Sequence, residues 1–320
     1  MTFTPIRIGI PRALFYYTFS TFWETFFREI GSEIVVSQPT TREVLDAGIR
    51  EAVSEACIPI KVYHGHVRAL AGTADFVFAP RLVSVDRRTV FCPKFLGLPD
   101  MVRSSMDGIP PLLSPRIDLR KNLLGLASAC FEVGASLKVP SSKVMLAYAR
   151  ACAAHKRRTI PWPPGNADGG EERTAPGSPL KIAVLGYPYA VFDRYVSVDL
   201  IRKLWALGVD VVTIEMFTDA ELNEESAQFS KGVFWHYSDR VVKAGYRCFH
   251  TRRVDGVIHV TAFGCGPDAV ADRLLDIEAS RTGFPFMPLL IDEHTGEGGL
   301  LTRVEAFVDM ISRVKGGDGA

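Results

Sequence analysis

The chain has 320 residues, of which 47% are hydrophobic and 23% are charged, and its formal net charge at pH 7 is +1. This balance is typical of a folded protein with room for two domains, and it gives no electrostatic reason to expect binding to nucleic acid or to an anionic membrane. The N-terminal residues MTFTPIRIGIPRAL lack the long apolar core of a signal peptide, and no apolar run reaches the roughly 20 residues that span a bilayer. Six cysteines without such a signal indicate reduced thiols, so we expect a cytoplasmic protein.

Short β-like runs alternate with helical patterns along the chain, which predicts βαβ units and parallel sheets. The aromatic segment Phe15–Phe27 has helical spacing and predicts core packing together with an interface face. The segment Leu300–Val314 predicts a closing amphipathic helix. In chain order, the predicted strands are Ile6–Ile10, Glu33–Ser37, Asp75–Ala79, Lys181–Leu185, Val209–Ile214, Gly256–Ala262 and Phe286–Ile291.

Residues 156–179 are rich in proline, glycine and charge without an apolar period, which is typical of a linker. They separate a predicted N-terminal domain, residues 1–155, from a predicted C-terminal domain, residues 180–320. Both halves open with a strand that ends at glycine and proline and is followed by a helical segment. The predicted fold class is therefore α/β, with one parallel-sheet domain in each half and a functional site in the cleft between them.

Three of the six cysteines share one local setting: Cys57 in ACIP, Cys92 in FCPK and Cys265 in GCGP. Each has a proline within two residues and precedes a predicted helix start, where proline is tolerated and the helix dipole favours a thiolate. The residues alone leave three interpretations open: small buried side chains, ligands of a metal or cluster, or a redox or nucleophilic thiol. The three lie too far apart in sequence for a compact zinc or ferredoxin motif, so a shared site must be assembled by the fold.

His64 and His66 in VYHGHV resemble a metal-binding pair, but residues two apart on a helix point to different faces. At most one of them faces a site near Cys57, and a polar or capping role is the alternative for each. On ligand type alone, a zinc site of three cysteines and one histidine also stays open.

The segment Gly264–Ala269 (GCGPDA) matches G-x-G-x-x-A between a predicted strand and a predicted helix, the context of a dinucleotide-binding turn. Asp292 or Glu293, after the next predicted strand, would then imitate the acid that binds ribose. Against this interpretation, the segment lies late in its domain, and Pro267 lacks an amide N–H that could face a phosphate.

The loop Asp292–Leu301 (DEHTGEGGLL), which contains Glu297, feeds the last predicted helix. Its amides either hold a phosphate or carboxylate at the helix N-terminus, or the loop is a turn with an acidic cap. No G-x-x-x-x-G-K-S/T motif occurs, so ATP hydrolysis by that route is not expected.

Several long runs carry a family resemblance that extends from the first predicted strand to the last predicted helix. On these runs the chain resembles the activase-related branch of the 2-hydroxyacyl-CoA dehydratase and benzoyl-CoA reductase superfamily, whose members are described as CoA-substrate-specific enzyme activase-related proteins. The runs are IGIPRAL, SQPTT, SEACIPIKVYHGHV, FCPKFLGLPDMV, FGCGPD and IDEHTGEGGLLTRVEAFVDM.

The resemblance implies flavodoxin-like domains and an iron–sulfur cluster bound by cysteines from separate segments. Carried over to this chain, it implies that Cys57, Cys92 and Cys265 are the cluster ligands. We expect a 4Fe–4S cluster, with a double-cubane cluster as the alternative. Three thiolates leave one position of a four-iron cluster open to an external ligand or substrate.

In the wider superfamily, an ATP-hydrolysing activator protein delivers a low-potential electron, which in the dehydratases passes to a CoA thioester and forms a ketyl radical that loses its hydroxyl group. We therefore expect low-potential electron transfer in anaerobic metabolism. A more specific form of this expectation couples the transfer to reductive dehydration of a CoA thioester. The candidate catalytic residues are His64, His66 and Glu297.

Two alternatives stay open: a non-catalytic partner or scaffold of an activator–dehydratase system, and a nucleotide-dependent oxidoreductase that uses Gly264–Ala269. The expected partners are the activator, a CoA thioester, and other subunits in a homo- or hetero-oligomer. The activator's own glycine-rich nucleotide motifs and paired-cluster cysteines do not occur in the sequence, so the resemblance does not imply an ATPase.

Overall fold

The computed structural model describes residues 4–120, 124–157, 180–225 and 232–317. The chain divides into two compact units, Met1–Pro164 and Gly165–Ala320. The predicted linker, residues 156–179, lies outside the described residues from position 158 onward. None of the helices in the described ranges is both long enough and apolar enough to cross a bilayer.

Unit 1 is built on a parallel sheet with the strand order β2-β1-β3-β5, and β4 pairs with β6 in a separate parallel ribbon. The pairing of Gly9 in β1 with Val35 on one side and Val77 on the other shows that β1 is an inner strand. The described elements are β1 (Arg7–Ile10), α1 (Tyr16–Glu29), β2 (Glu33–Val36), α2 (Arg42–Glu51), α3 (Ile58–Ala69), β3 (Phe76–Phe78), β4 (Arg81–Ser84), α4 (Pro93–Ser105), β5 (Leu112–Leu113), β6 (Arg116–Asp118), α5 (Gly125–Ser136) and α6 (Ser141–Lys156).

The aromatic residues of α1 form the core of unit 1, as their helical spacing predicts. Trp23, Phe26 and Phe27 are buried, and the ring centroids of Trp23 and Phe78 of β3 lie 4.4 Å apart. Phe27 also meets Phe78 edge to face, with centroids 5.2 Å apart. These contacts pack α1 against the sheet and thereby fix the position of the segment that joins β1 to α1.

Helices α2 and α3 approach so closely that glycine is required where they cross. A Cβ atom added at Gly65 in α3 would lie 1.9 Å from the carbonyl oxygen of Val44, and one at Gly48 in α2 would lie 1.8 Å from that of Lys61. Both obstacles are backbone atoms, which cannot move without separating the helices. This contact therefore holds α3, which begins at Cys57, in place.

Replacing Gly65 by alanine is expected to destabilise unit 1 by about 2–3 kcal/mol or more, because the added methyl group overpacks a backbone contact. The measurement is the free energy of unfolding in denaturant. Gly97→Ala is the matched control, because a Cβ at Gly97 in α4 meets no atom within 4 Å, and alanine is the better helix former. A Gly65→Ala protein as stable as the Gly97→Ala protein would contradict the close crossing.

Unit 2 is also built on a parallel sheet, with the strand order β10-β9-β7-β8. Its described elements are β7 (Leu180–Gly186), α7 (Pro188–Val191), α8 (Leu200–Ala206), β8 (Val209–Thr213), a 3-10 turn (Ile214–Met216), α9 (Asp219–Glu224), α10 (His236–Thr251), β9 (Gly256–Ala262), α11 (Gly266–Thr282), β10 (Phe286–Ile291) and α12 (Glu297–Gly317).

The main sheets of the two units have the same relative strand order. When the strands of each sheet are counted in chain order, the first lies between the second and the third, and the fourth, which is β5 in unit 1 and β10 in unit 2, lies beyond the third. Connections from neighbouring inner strands leave toward opposite faces at such a point, which opens a crevice at the carboxyl ends of the strands. In unit 1 these ends lead into Arg12 and Ala79, and in unit 2 they lead into Tyr187 and Cys265.

The predicted α/β class with parallel sheets is confirmed, and every predicted strand is present with each end within one residue of the prediction. The final helix is longer than predicted, because Glu297–Gly317 includes the glycine-rich turn as its first turn. The short strands β4, β5 and β6 were not predicted.

Candidate functional site

The helix starts at Cys57 and Cys92 lie beside each other in unit 1. Cys57 is the N-cap of α3, with Pro59 in the first turn, and Cys92 is the N-cap of α4, which begins at Pro93. From the first turn of α4, the Nζ atom of Lys94 approaches the Sγ atom of Cys57 to 3.9 Å. The predicted cysteine–proline helix starts are confirmed at both positions, and the fold brings them to one place.

Burial and mutual repulsion disfavour the ionisation of both thiols of this pair. Burial raises the pKa of the Cys92 thiol; the backbone N–H groups of Phe95 and Lys94 and the Lys94 ammonium lower it in part, and the charge of Cys57 raises it further. The amides of the helix start favour the Cys92 thiolate, as expected, but the lost hydration outweighs them, so the net pKa of this thiol is raised. Two thiolates at this place need more positive charge than Lys94 supplies.

Replacing Lys94 by glutamine is expected to raise the pKa of the Cys92 thiol further. At pH 8, alkylation of Cys92 in the metal-free protein should slow by roughly twofold to tenfold, because one pKa unit is a tenfold change in the thiolate fraction. Peptide-resolved mass spectrometry measures this rate. Lys94→Arg keeps the charge and should retain most of the rate, and Lys143→Gln removes an exposed lysine elsewhere in unit 1. Equal rates in the Lys94→Gln and wild-type proteins would contradict the contact.

Cys265 occupies the corresponding position in unit 2, as the N-cap of α11 just after β9. Gly264 turns the chain with φ of +73°, and the Cys265 N–H donates to the Ala262 carbonyl oxygen at 3.1 Å. The predicted strand–cysteine–helix junction is confirmed. The G-x-G-x-x-A pattern of Gly264–Ala269 follows the third strand of the unit rather than the first, and Pro267 in the first turn removes one of its amides.

A buried histidine lies between two carboxylates beneath the start of α11. His259 in β9 is fully buried; its Nδ1 bonds to Oδ1 of Asp272 at 2.8 Å, and its Nε2 lies 3.3 Å from Oδ1 of Asp268. The Nε2 contact lacks hydrogen-bond geometry, so it is an electrostatic contact. Burial lowers the pKa of His259, but the polar contacts with both carboxylates and their charges outweigh it and raise this pKa to about 9. The group is therefore an imidazolium at neutral pH.

Asp268 also caps the end of β9, because its Oδ2 accepts the Ala262 N–H at 3.0 Å. A second chain of hydrogen bonds reaches the first turn of α11. The Tyr187 hydroxyl, just after β7, lies 2.6 Å from Oγ of Ser238, which donates to the Pro267 carbonyl oxygen at 3.1 Å. Two sets of buried hydrogen bonds therefore hold the residues on either side of Cys265 in place.

The two histidines of α3 have different surroundings, and both are buried. Nδ1 of His64 donates to the Ile60 carbonyl oxygen at 2.8 Å, which leaves Nε2 as the basic nitrogen. Both ring nitrogens of His66 are engaged at 2.9 Å, with Ser37 Oγ and Thr40 Oγ1. Burial lowers the pKa of His64, and burial together with the charge of Arg12 lowers that of His66 to about 3. The structure shows the polar role for His66, whereas the Nε2 of His64 has the form of a ligand or proton acceptor.

Glu297 is the first residue of α12, and 71% of its side chain is exposed. Its Oε1 lies 2.9 Å from Nζ of Lys203. The preceding loop is a capped turn, in which Oδ1 of Asp292 accepts from the N–H of His294 and the hydroxyl of Thr295, both at 2.9 Å. Asp292 is therefore engaged within its own loop.

The fold brings together Cys57 and Cys92, while Cys265 belongs to unit 2. All six cysteines are thiols. Cys248, inside α10, is an inert thiol whose pKa is raised to about 12 by burial. Within the described ranges, no group of three or more histidine, cysteine or acidic side chains is arranged to hold a metal ion.

The fold and these positions define an α/β protein of two parallel-sheet units, with thiols at three helix N-termini. Residues 7–217 match the model of the family described as CoA enzyme activase uncharacterised domain (DUF2229), and the chain belongs to this family. The match includes Cys57 and Cys92 and ends before Cys265. No curated protein matches the chain closely enough to indicate a further relative.

Several polar residues of this site were not singled out by the sequence analysis. Lys94, two residues after Cys92, was not recognised as a partner of Cys57. The sequence does not distinguish His259 from any other residue of its strand. The available signal was the i, i+4 spacing of Asp268 and Asp272, which places both carboxylates on one side of α11. Arg12 follows a strand end in IGIPRAL, and nothing local separates it from other surface arginines.

Proposed function

We propose that this protein is an iron–sulfur protein of the 2-hydroxyacyl-CoA dehydratase superfamily that transfers low-potential electrons, with Cys57, Cys92 and Cys265 as its cluster ligands. The observation that carries the proposal is the pairing of the helix starts at Cys57 and Cys92. That pair lies in a chain that belongs to a CoA enzyme activase family. The same strand or loop, cysteine, proline and helix sequence recurs at Cys265.

The chemistry of the donors fits a cluster. Burial and mutual repulsion disfavour two thiolates at Cys57 and Cys92, so a cationic metal centre bound there would remove the obstacle that raises the pKa of Cys92. Helix amides directed at sulfur, of the kind that lower the pKa of Cys92, are a recognised means of tuning iron–sulfur centres. Lys94 adds one fixed positive charge beside Cys57.

When bound, a 4Fe–4S cluster supplies a reversible one-electron centre, and a double-cubane cluster is the alternative form of the proposal. The chain's own residues orient the thiolates by two helix starts in unit 1 and one in unit 2. Lys94 favours the anionic thiolates, and His64 holds a basic Nε2 on the helix that begins at Cys57. Glu297, paired with Lys203, is the corresponding candidate in unit 2.

The finer description of the fold is part of the same proposal. The second–first–third–fourth strand order in both units agrees with the flavodoxin-like order, which supports two flavodoxin-like domains. In this proposal Cys265 of unit 2 supplies the third thiolate. The carboxyl edge at which Cys265 lies is where parallel sheets of this order place functional groups.

We further propose that an ATP-dependent activator protein donates the electron and that a CoA thioester is the substrate of the electron-transfer system. The description of the family as a CoA enzyme activase domain supports a role in such a system. The chemistry would be reductive dehydration, in which a 2-hydroxyacyl thioester takes up one electron as a ketyl radical anion and expels hydroxide; loss of a proton and return of the electron would then give the unsaturated thioester.

Anaerobic purification followed by iron and acid-labile sulfide analysis tests the cluster. We expect about four iron atoms and about four sulfides per chain for a single cubane, or about twice as many for a double cubane, and an EPR signal in the reduced protein. A protein without iron and sulfide after anaerobic reconstitution would remove the proposal. A zinc content near one per chain would replace it with the zinc alternative.

A non-catalytic partner of an activator–dehydratase system is the second candidate function. The observation that favours it is the family description as a CoA enzyme activase domain, which supports a partner role in an enzyme system. This candidate predicts a stable complex with the activator or dehydratase that persists when Cys57, Cys92 and Cys265 are all replaced by serine. Loss of the complex in the triple variant, with its fold intact, would favour the cluster.

A further inference from the structure

Arg12 lies at the carboxyl edge of the unit 1 sheet, two residues after β1 ends at Ile10. β1 is bordered by β2 on one side and β3 on the other, so Arg12 stands at the point where the strand order reverses. Crevices at this point of a parallel sheet are where such folds bind ligands. Arg12 is not part of the cysteine pair, because Cys57 and Cys92 lie on other segments, at the starts of α3 and α4.

The charge of Arg12 is not neutralised within the described residues. Its Nε atom is buried and has no hydrogen-bond partner, and no aspartate or glutamate of the described ranges pairs with its guanidinium. The guanidinium carbon lies 5.7 Å from the centroid of the Tyr16 ring, which orients the group without supplying an acceptor. A buried N–H donor of a permanently charged group is rarely left without an acceptor.

The polar groups that bind the Arg12 backbone N–H are neutral and already occupied. The Arg12 backbone N–H donates to Ser37 Oγ at 2.8 Å, and that hydroxyl contacts Nδ1 of His66 at 2.9 Å. Thr40 holds the other ring nitrogen of His66. Since the pKa of His66 is about 3, the imidazole carries no charge at neutral pH. The N-terminus of α1, four residues farther along, adds further positive potential on the same side of the sheet.

We propose that Arg12 anchors a phosphate-binding site at this edge. A phosphate group supplies the missing acceptor for Nε, and the planar guanidinium can hold two of its oxygens at once. The same chemistry is offered by inorganic phosphate and by the phosphate groups of coenzyme A. Only the coenzyme A form of the inference rests on the proposed function.

Isothermal titration calorimetry of the full chain with inorganic phosphate, coenzyme A and pantetheine tests the site. We expect phosphate binding that weakens with salt and falls at least about tenfold in Arg12→Gln. Arg12→Lys should also bind less tightly, because an ammonium lacks the planar fork. Arg28→Gln is the matched control, because Arg28 is an exposed arginine of α1 paired with Glu24. Coenzyme A binding tighter than both phosphate and pantetheine would identify its phosphates as the source.

Equal phosphate affinity in the wild-type and Arg12→Gln proteins would overturn the inference, and so would tighter binding of acetate than of phosphate. If Arg12→Gln does not fold, the test is the change in thermal midpoint that phosphate causes in the wild-type and Arg12→Lys proteins. At equal ionic strength, phosphate should raise the midpoint of the wild type and raise that of Arg12→Lys less. No rise in the wild type would overturn the site. The iron and sulfide content is a separate measurement, so the two proposals can fail independently.

Discussion

Replacing Cys92 by serine is expected to abolish iron and sulfide binding in anaerobically reconstituted protein. Replacing Cys57 is expected to have the same effect, because the two helix starts lie side by side and unit 1 would keep only one of the two thiolates that it supplies to the proposed cluster. Replacing Cys265 should lower the cluster content to a similar extent if unit 2 supplies the third ligand. The measurement is the ratio of iron and sulfide to protein, with the reduced EPR signal as the second readout.

The control for these variants is Cys152→Ser. Cys152 lies in α6 of unit 1, is half-buried as Cys92 is, and is not at a helix start. Its replacement should leave the iron content unchanged. Circular dichroism and thermal unfolding separate loss of ligation from loss of fold. Full iron content in Cys92→Ser, or equal losses in Cys92→Ser and Cys152→Ser, would show that Cys92 is not a ligand.

Replacing His259 by alanine is expected to destabilise unit 2 by about 3–5 kcal/mol, because it leaves the buried carboxylate of Asp268 without its counter-charge. Denaturant unfolding of the full chain at pH 7 measures this loss. Asp276→Asn is the control, because Asp276 forms an exposed pair with Arg273 whose loss should cost less than about 1 kcal/mol.

The pH dependence of stability gives an independent test of His259. The folded-state pKa of about 9 lies above the ordinary value of 6.5, so the folded protein binds the proton more tightly than the unfolded chain does. The contribution of His259 is therefore complete below about pH 6.5 and is lost as the pH rises through about 9. His259→Ala should remove this part of the pH profile. An unchanged profile between pH 6.5 and 9 in the variant would contradict an imidazolium at this position.

Asp268→Asn separates charge from shape. Asparagine retains an oxygen that can accept the Ala262 N–H, but it removes one of the two negative charges around His259. The pKa of His259, followed by NMR, should fall, and the loss of stability should begin at lower pH than in the wild type. A pKa that stays near 9 would show that Asp272 alone holds the proton.

Much of the local structure could be predicted from the sequence. The strands were found because buried parallel strands are short runs of β-branched and apolar residues bounded by glycine and proline. The helix starts at the three cysteines were found because proline is favoured in the first turn of a helix, where its missing N–H has no intrahelical partner. The strands β4, β5 and β6 escaped prediction; β5 and β6 are two or three residues long and lie among prolines, which are typical of loops.

The chemistry of the site depends on distances between segments, which no local pattern records. The amino-acid sequence alone determined the α/β class, the parallel strands and the positions of Cys57, Cys92 and Cys265 at helix starts, because these follow from backbone propensity within a few residues. Only the tertiary structure decided that Lys94 meets Cys57 and that His259 is charged between two carboxylates. It also decided that burial raises the pKa of Cys92. Packing and solvation set these properties, and both depend on which distant segments the fold brings together.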